Sequence, residues 1–212
     1  MISLPVKELS DLGFKKREMQ KIISFISVVK PFFEEYFRKP FFLIDLCAGN
    51  GLASFGFHFN GMIERCVMVD LKIPPRFYRL KKLFEDYGFA HDYPERDICS
   101  GDFDLDCLLD REDKAVVSIH PCSELGDRVI ELGIKGRVPF SLMTCCHRRG
   151  GDKRYPLRNP PDSRLLLYNE PEDYRDLVRQ RYVEEQGWNC FWKEIPKRVS
   201  EKNHVLIAIP KR

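Results

Sequence analysis

The chain has 212 residues, enough for one well-buried domain, and 43% of them are hydrophobic while 32% are charged. These proportions are ordinary for a globular protein, and the formal charge of +3 is too small to indicate a class of partner. No stretch reaches the apolar length of a membrane span, and the N-terminus becomes polar too early for a signal peptide. We therefore expect a single domain, residues 1–212, located in the cytoplasm and not in a membrane.

Eight cysteines are scattered along the chain and never form a Cys-x-x-Cys pair, the spacing typical of structural zinc sites. In a reducing compartment such residues usually behave as small core hydrophobes. We therefore predict neither a disulfide framework nor a metal site.

Residues 7–38 carry apolar side chains at three- and four-residue spacing, which predicts helical structure with one buried face. Pro31 is expected to mark a break or a new first turn. We expect the helices within residues 1–40 to form a cap that packs over the edge of a sheet.

A glycine-rich turn follows the first predicted strand, an apolar run at residues 41–44 that ends in Asp45. The turn consists of Ala48, Gly49, Asn50 and Gly51. Strand, glycine turn and helix place backbone N–H groups beside a ligand in nucleotide-binding α/β folds. The third glycine of a dinucleotide fingerprint and the lysine of a phosphate loop are both missing. An ordinary turn with two glycines is the alternative.

A second buried strand, residues 66–69, ends in Asp70, which lies 19 residues beyond Gly51. This is close to the ~20-residue offset at which an acid at the tip of the second strand binds ribose hydroxyls. Asp70 could instead cap the helix predicted at residues 76–87. A third strand is predicted at residues 96–99.

The acid four residues before Gly-x-Gly resembles motif I of the class I S-adenosylmethionine (SAM) methyltransferases. The resemblance implies SAM as cofactor, with the glycines beside its methionine part, Asp45 in the acid position and Asp70 on the ribose. In that family an acid just past the third strand accepts from the adenine amino group. We assign this position to Asp102, with Asp97 as the alternative because strand boundaries are uncertain by about two to four residues.

Polar side chains stand at the carboxyl ends of the fourth and fifth predicted strands, residues 115–122 and 138–147. They are His120, Cys122, Cys145, Cys146 and His147. Open α/β sheets place ligands and chemistry at the carboxyl ends of their strands, so we expect these groups near the transferred methyl group. Burial as ordinary core residues is the alternative for each of them.

A basic loop covers residues 148–170 and is rich in glycine and proline. Its candidate phosphate-binding residues are Arg148, Arg149, Lys153, Arg154 and Arg158. A solvated charged loop is the alternative. A helix is predicted at residues 171–186, and two final strands, 189–195 and 204–209, are predicted to form a hairpin.

Alternating strands and helices predict an α/β fold with a mainly parallel sheet. The class I methyltransferase resemblance makes this a Rossmann-like sheet of about seven strands, closed by an antiparallel hairpin and preceded by N-terminal helices.

A narrower resemblance covers roughly residues 43–150. The segments IHPCSELGDRVIELG and FSLMTCCHRRG resemble the eukaryotic tRNA ribose 2′-O-methyltransferases that modify the acceptor stem, in which a His-x-Cys-Gly segment leads into an aspartate-containing helix and the next strand ends in Cys-Cys-His. The chain departs from that pattern at Pro121 and Ser123, and the family's zinc finger has no counterpart. The resemblance implies an RNA partner, tRNA, and methylation of a hydroxyl with His120 or His147 as base.

A second enzyme interpretation uses the same strand ends. Pro121-Cys122-Ser123 and Thr144-Cys145 resemble motifs of the RNA 5-methylcytosine methyltransferases, in which a thiolate adds covalently to the pyrimidine. His120 stands where that family has an aspartate, so this interpretation ranks second. A small-molecule or protein substrate, or a SAM-fold module without catalytic activity, remains an alternative, because a fold does not determine a substrate.

Overall fold

The computed structural model describes residues 1–106, 108, 111–122, 124–143, 171–201 and 203–211, with side chains described for all of these except 171–175. The helices in this part of the chain are α1 (Val6–Asp11), α2 (Lys16–Phe37), α3 (Leu52–Phe59), α4 (Pro75–Asp86), α5 (Glu124–Lys135) and α6 (Pro171–Glu185). The strands are β1 (Phe41–Leu46), β2 (Ile63–Val69), β3 (His91–Asp92), β4 (Lys114–Ile119), β5 (Phe140–Met143), β6 (Trp188–Glu194) and β7 (His204–Pro210).

The described strands form one seven-stranded sheet in the order β3-β2-β1-β4-β5-β7-β6. Strands β1 to β5 run parallel to one another, while β7 pairs antiparallel with both β5 and β6. The predicted parallel sheet with its closing hairpin is therefore confirmed. The strand order reverses between β1 and β4, and in open α/β sheets the carboxyl ends at such a reversal border a ligand crevice.

The central strands are buried on both faces, which is why they read as apolar runs without alternation. Every residue of β1 is buried, including Asp45. One hydrophobic cluster joins this sheet to α1, α2, α3 and α4, and a second cluster on the other face joins it to α5 and α6. Among the described helices, none combines the length and the hydrophobicity that crossing a membrane requires.

Helix α2 packs across one face of the sheet, against α3 and β7. Phe32 of α2 also contacts Phe191 of the edge strand β6, with ring centroids 4.8 Å apart, so the helix covers the sheet face and reaches one edge. Its buried stripe consists of Met19, Ile22, Phe25, Ile26, Val29 and Phe33. The absence of a side chain at Gly56 of α3 permits the close approach, because a Cβ there would lie 2.6 Å from Ile26 Cδ1 and 3.0 Å from Ile22 Cγ2.

The break between the N-terminal helices lies at residues 12–15, not at Pro31. Gly13 adopts a positive φ of 82° and ends α1, whereas Pro31 lies inside α2. An internal proline removes one helical hydrogen bond at a cost of about 3 kcal/mol. Val29 and Phe33 on either side of it are fully buried, and this packing keeps the helix continuous.

The third strand is shorter and earlier than predicted. Strand β3 pairs with Cys66 and Val67 of β2, while residues 96–99 lead into a turn. There Asp97 Oδ1 accepts the backbone N–H of Cys99 at 2.9 Å, a local bond that favours a turn over extended structure. The fourth strand also ends earlier than expected, at Ile119, because His120 adopts a positive φ of 62°.

Candidate functional site

The glycine turn and the tip of β2 are joined by hydrogen bonds to one carboxylate. The N–H of Gly49 donates to Asp70 Oδ2 at 2.9 Å, and the N–H of Leu71 donates to Oδ1 at 2.8 Å. A carboxylate offers about four acceptor positions, so both oxygens can accept further hydrogen bonds. The sequence-predicted pair of turn and acid is therefore brought together in space, with Asp70 held in a fixed orientation.

The two glycines of the turn have different roles. Gly49 has a φ of 57° and open space where a Cβ would point, so bare backbone faces the site. Gly51 has a φ of 77°, but a Cβ there would lie 2.6 Å from Met68 Sδ. Gly51 is required for packing of α3 on β2 and does not line the cavity beside the turn. The predicted contact of both glycines with a ligand stays a prediction.

A cavity of about 200 Å³ lies between the turn, the end of β4 and helix α2. The turn contributes its first three predicted residues, and β4 contributes Ile119. The lining residues are Glu18, Lys21, Ile22, Asp45, Cys47, Ala48, Gly49, Asn50, Leu52, Ala53 and Ile119. The cavity thus occupies the crevice at the strand-order reversal, with α2 as its outer wall.

Asp45 is a buried acid among the residues that line this cavity. Its side chain is 1% exposed and accepts a hydrogen bond from Ser54 Oγ at 2.6 Å. Burial raises the pKa of the Asp45 carboxyl to about 7, and the nearby charge of Asp70 adds to the rise. A protonated carboxylic acid can donate as well as accept, so Asp45 presents a hydrogen-bonding group that changes character near neutral pH.

Cys47 and Tyr93 also belong to the site, although sequence analysis did not select them. Cys47 directly precedes the turn and has a φ of 59°, and burial raises the pKa of its thiol to about 12. The thiol therefore stays neutral and is a poor nucleophile at physiological pH. The hydroxyl of Tyr93, the residue after β3, donates to the Gly49 carbonyl at 2.5 Å and so stabilises the turn.

His120 and Cys122 follow β4, at the same carboxyl edge of the sheet as the glycine turn. The N–H of His120 donates to the Met143 carbonyl at 3.0 Å, which aligns the ends of β4 and β5. Lys21 Nζ lies 2.9 Å from His120 Nε2. An ammonium can only donate, so Nε2 accepts and the ring proton lies on Nδ1. Cys122 is exposed, with its Sγ 3.7 Å from the His120 carbonyl oxygen.

The two candidate adenine acids lie in different surroundings. Both side chains are exposed. Asp97 is held in the turn that carries Ile98 and Cys99, and these two residues pack in the same hydrophobic cluster as Cys47. Asp102 is hydrogen-bonded to the hydroxyl of Ser100, which lowers the pKa of its carboxyl. Phe103, which follows Asp102, belongs to the same cluster, so packing does not distinguish the two acids.

A buried ion pair supports the loop that carries His120. Arg179 Nε of α6 donates to Asp127 Oδ1 of α5 at 2.8 Å, and both side chains are buried. A Cβ on Gly126 would lie 2.7 Å from Arg179 Nη2 and 3.4 Å from the Pro121 carbonyl oxygen. The pair therefore sits directly beneath the β4–α5 connection.

The other predicted chemical groups lie outside the described residues. They are Cys145, Cys146, His147, Arg148, Arg149, Lys153, Arg154 and Arg158. The roles assigned to them stay predictions.

Comparison with solved structures establishes the fold. An rRNA methylase from Streptococcus thermophilus is similar with a TM-score of 0.55 and 10% identity, over 100% of this chain and 99% of that one. The magnesium protoporphyrin IX methyltransferase of Synechocystis, solved with bound SAM, is similar with a TM-score of 0.55 and 11% identity, over 99% and 93% of the two chains. An O-methyltransferase family protein from Burkholderia thailandensis has a TM-score of 0.49 and 13% identity, and the match covers 96% of this chain but 63% of that one.

No protein-family model matches the chain, and no curated protein matches it significantly. At sequence identities of 10 to 13%, structural similarity shows the fold alone. The chain has the Rossmann-like fold of the class I methyltransferases.

Proposed function

We propose that this protein is a SAM-dependent methyltransferase that acts on RNA, with tRNA as the first substrate to test. The observation that carries the proposal is the carboxylate of Asp70, which follows β2 and accepts the N–H of Gly49, a residue that lines the cavity. An acid in this position suits a ribose diol, because both oxygens can accept hydrogen bonds beyond those from the backbone. When bound, SAM would supply an electrophilic methyl group on its sulfonium sulfur.

The residues around the crevice fit such a cofactor. Open space above Gly49 accommodates a ligand against bare backbone, and Ala48 and Asn50 line the cavity where the methionine part would lie. For the adenine we keep Asp102, with Asp97 as the alternative, because residues beside both acids pack in the same hydrophobic cluster as Cys47.

The RNA part of the proposal rests on sequence resemblance and charge. The segments around His120 and Cys145 resemble tRNA ribose methyltransferases, and the predicted basic loop at residues 148–170 suits a phosphate backbone. Solved structures with this fold include a protein named as an rRNA methylase and one named as a porphyrin methyltransferase. A small-molecule substrate is therefore the main alternative.

Transfer of labelled methyl from SAM to total RNA, protein and metabolite pools tests the proposal, with Asp70→Asn as the matched control. We expect label in tRNA with the wild-type protein and strongly reduced label with the variant, because charge-assisted hydrogen bonds typically contribute about 1.5 to 3 kcal/mol each. Label in metabolites alone would refute the RNA assignment. No calorimetric binding of SAM or S-adenosylhomocysteine would refute the cofactor.

His120 is proposed as the base that takes the proton of the acceptor hydroxyl. It lies at the strand end beside the cavity, but its Nε2 accepts from Lys21, so that contact must be exchanged when the acceptor binds. We expect His120→Ala to reduce turnover by ~10²- to 10⁴-fold, the range for a lost acid–base group. His147 keeps the same predicted role as an alternative.

Cys122→Ser distinguishes direct transfer from covalent catalysis. We expect this variant to keep most of its activity, because a hydroxyl acceptor needs no covalent adduct. Loss of activity with cofactor affinity intact, together with an adduct trapped on RNA that contains 5-fluorocytosine, would favour the thiolate mechanism.

A further inference from the structure

Helix α2 is anchored on both sides of the cavity. Ile22 and Ile26 pack against Gly56 of α3, as described above. At the start of the helix, Glu18 forms an ion pair with Arg76 of α4, with Nη1–Oε1 and Nη2–Oε2 distances of 2.7 and 3.1 Å. The first two turns of α2 are therefore held in a defined position over the glycine turn.

The charges that α2 brings to the cavity are Glu18 and Lys21, three residues apart on one side of the helix. The Glu18 carboxylate is engaged by Arg76 and also accepts the N–H of Lys15 at 2.8 Å. Among the described residues that line the cavity, Lys21 is the one with a cationic side chain. An anionic group placed in this space would therefore meet Lys21.

We infer that Lys21 binds the α-carboxylate of the methionine part of the cofactor, an inference that rests on the proposed SAM site. The turn residues Gly49 and Asn50 line the same cavity as the Lys21 side chain, so a ligand that extends from Asp70 past the turn reaches α2. An ammonium has three N–H donors, so His120 Nε2 and a carboxylate can both accept from it. Lys21 then contacts the cofactor, and its contact with His120 Nε2 is the one that is exchanged when the acceptor binds.

Calorimetry with paired ligands tests this inference. S-adenosylhomocysteine and its decarboxylated analogue differ in the carboxylate alone. We expect the wild-type protein to prefer S-adenosylhomocysteine by about 10- to 100-fold, the value of one charge-assisted hydrogen bond, and Lys21→Met to lose that preference.

Two controls separate this loss from a general defect. Lys30→Met removes a lysine of the same helix, about 13 Å from Lys21 along the helix axis. Lys30 forms an ion pair with Glu34 at 3.3 Å. In this variant the preference for S-adenosylhomocysteine should remain. Binding of 5′-methylthioadenosine, which lacks the amino acid part, should be unchanged in Lys21→Met. If Lys21→Met does not fold, Lys21→Gln replaces it in the same measurement.

The outcomes are distinguishable. A preference in Lys21→Met equal to that of the wild type, with both ligands bound, would overturn the role of Lys21 and leave the SAM site standing. A wild-type protein that binds neither ligand would overturn the SAM site and the inference together. A preference lost equally in Lys30→Met would also overturn the inference, because the effect would then be one of helix charge.

Discussion

Asp45 gives the protein a specific dependence of stability on pH. Burial raises the pKa of its carboxyl from 3.8 to about 7 in the folded state. Each pKa unit corresponds to about 1.4 kcal/mol, so a shift of roughly 3 units amounts to about 4 kcal/mol. Asp45→Asn removes the titrating group and keeps an oxygen that can accept from Ser54.

The sign follows from the raised pKa. Below about pH 4 the carboxyl is protonated in the folded and the unfolded chain, and its contribution to stability is fully present. Between about pH 4 and 7 the unfolded chain loses its proton first, so the free energy of unfolding of the wild-type protein falls as the pH rises. Above about pH 7 the loss is complete. The asparagine variant lacks this loss.

Urea unfolding of both proteins at pH 4, 5.5, 7 and 8.5 measures the effect. We expect the difference in unfolding free energy, variant minus wild type, to increase by about 4 kcal/mol across this range. Asp11→Asn, at an exposed position on α1, controls for the change of net charge. Ser54→Ala should move the transition to higher pH, because the Ser54 hydrogen bond lowers the pKa of Asp45. A difference that stays constant with pH would refute the reasoning.

Two further substitutions test the packing around the site. Gly51→Ala should destabilise the protein by about 2 to 4 kcal/mol, because a positive φ and a contact with Met68 both oppose a side chain, and thermal or urea unfolding measures the loss. Gly101→Ala, with open space and no positive φ, is its control, and an equal effect there would contradict the assignment. Arg179→Met should cost about 3 to 5 kcal/mol in urea unfolding, because the buried carboxylates of Asp127 and Asp176 would both lose their ion pair with Arg179. A loss below about 1 kcal/mol would show that the ion pair contributes little.

The sequence alone determined the class of fold and the part of the site that the glycine turn and Asp70 form. Strands β1 and β4 and residues 66–69 of β2 are buried on both faces. Each is therefore a short apolar run that ends at a polar residue, and such runs can be recognised from the sequence. The offset between Gly51 and Asp70 predicted a partnership that the Gly49 N–H bond makes explicit. The RNA substrate, the single domain and the cytoplasmic location stay predictions.

Tertiary structure decided which residues complete the site. The two-residue strand β3 is too short to produce a hydrophobic pattern, so its position and the bracing contact of Tyr93 could not be predicted. Helical periodicity identified the buried stripe of α2, but it does not say what the polar residues beside that stripe meet. Lys21 reaches the crevice because Gly56, 35 residues further along the chain, admits the helix closely against α3. Contacts between distant segments depend on how the faces of helices and strands pack together. The periodicity of a sequence shows only which of those faces are apolar.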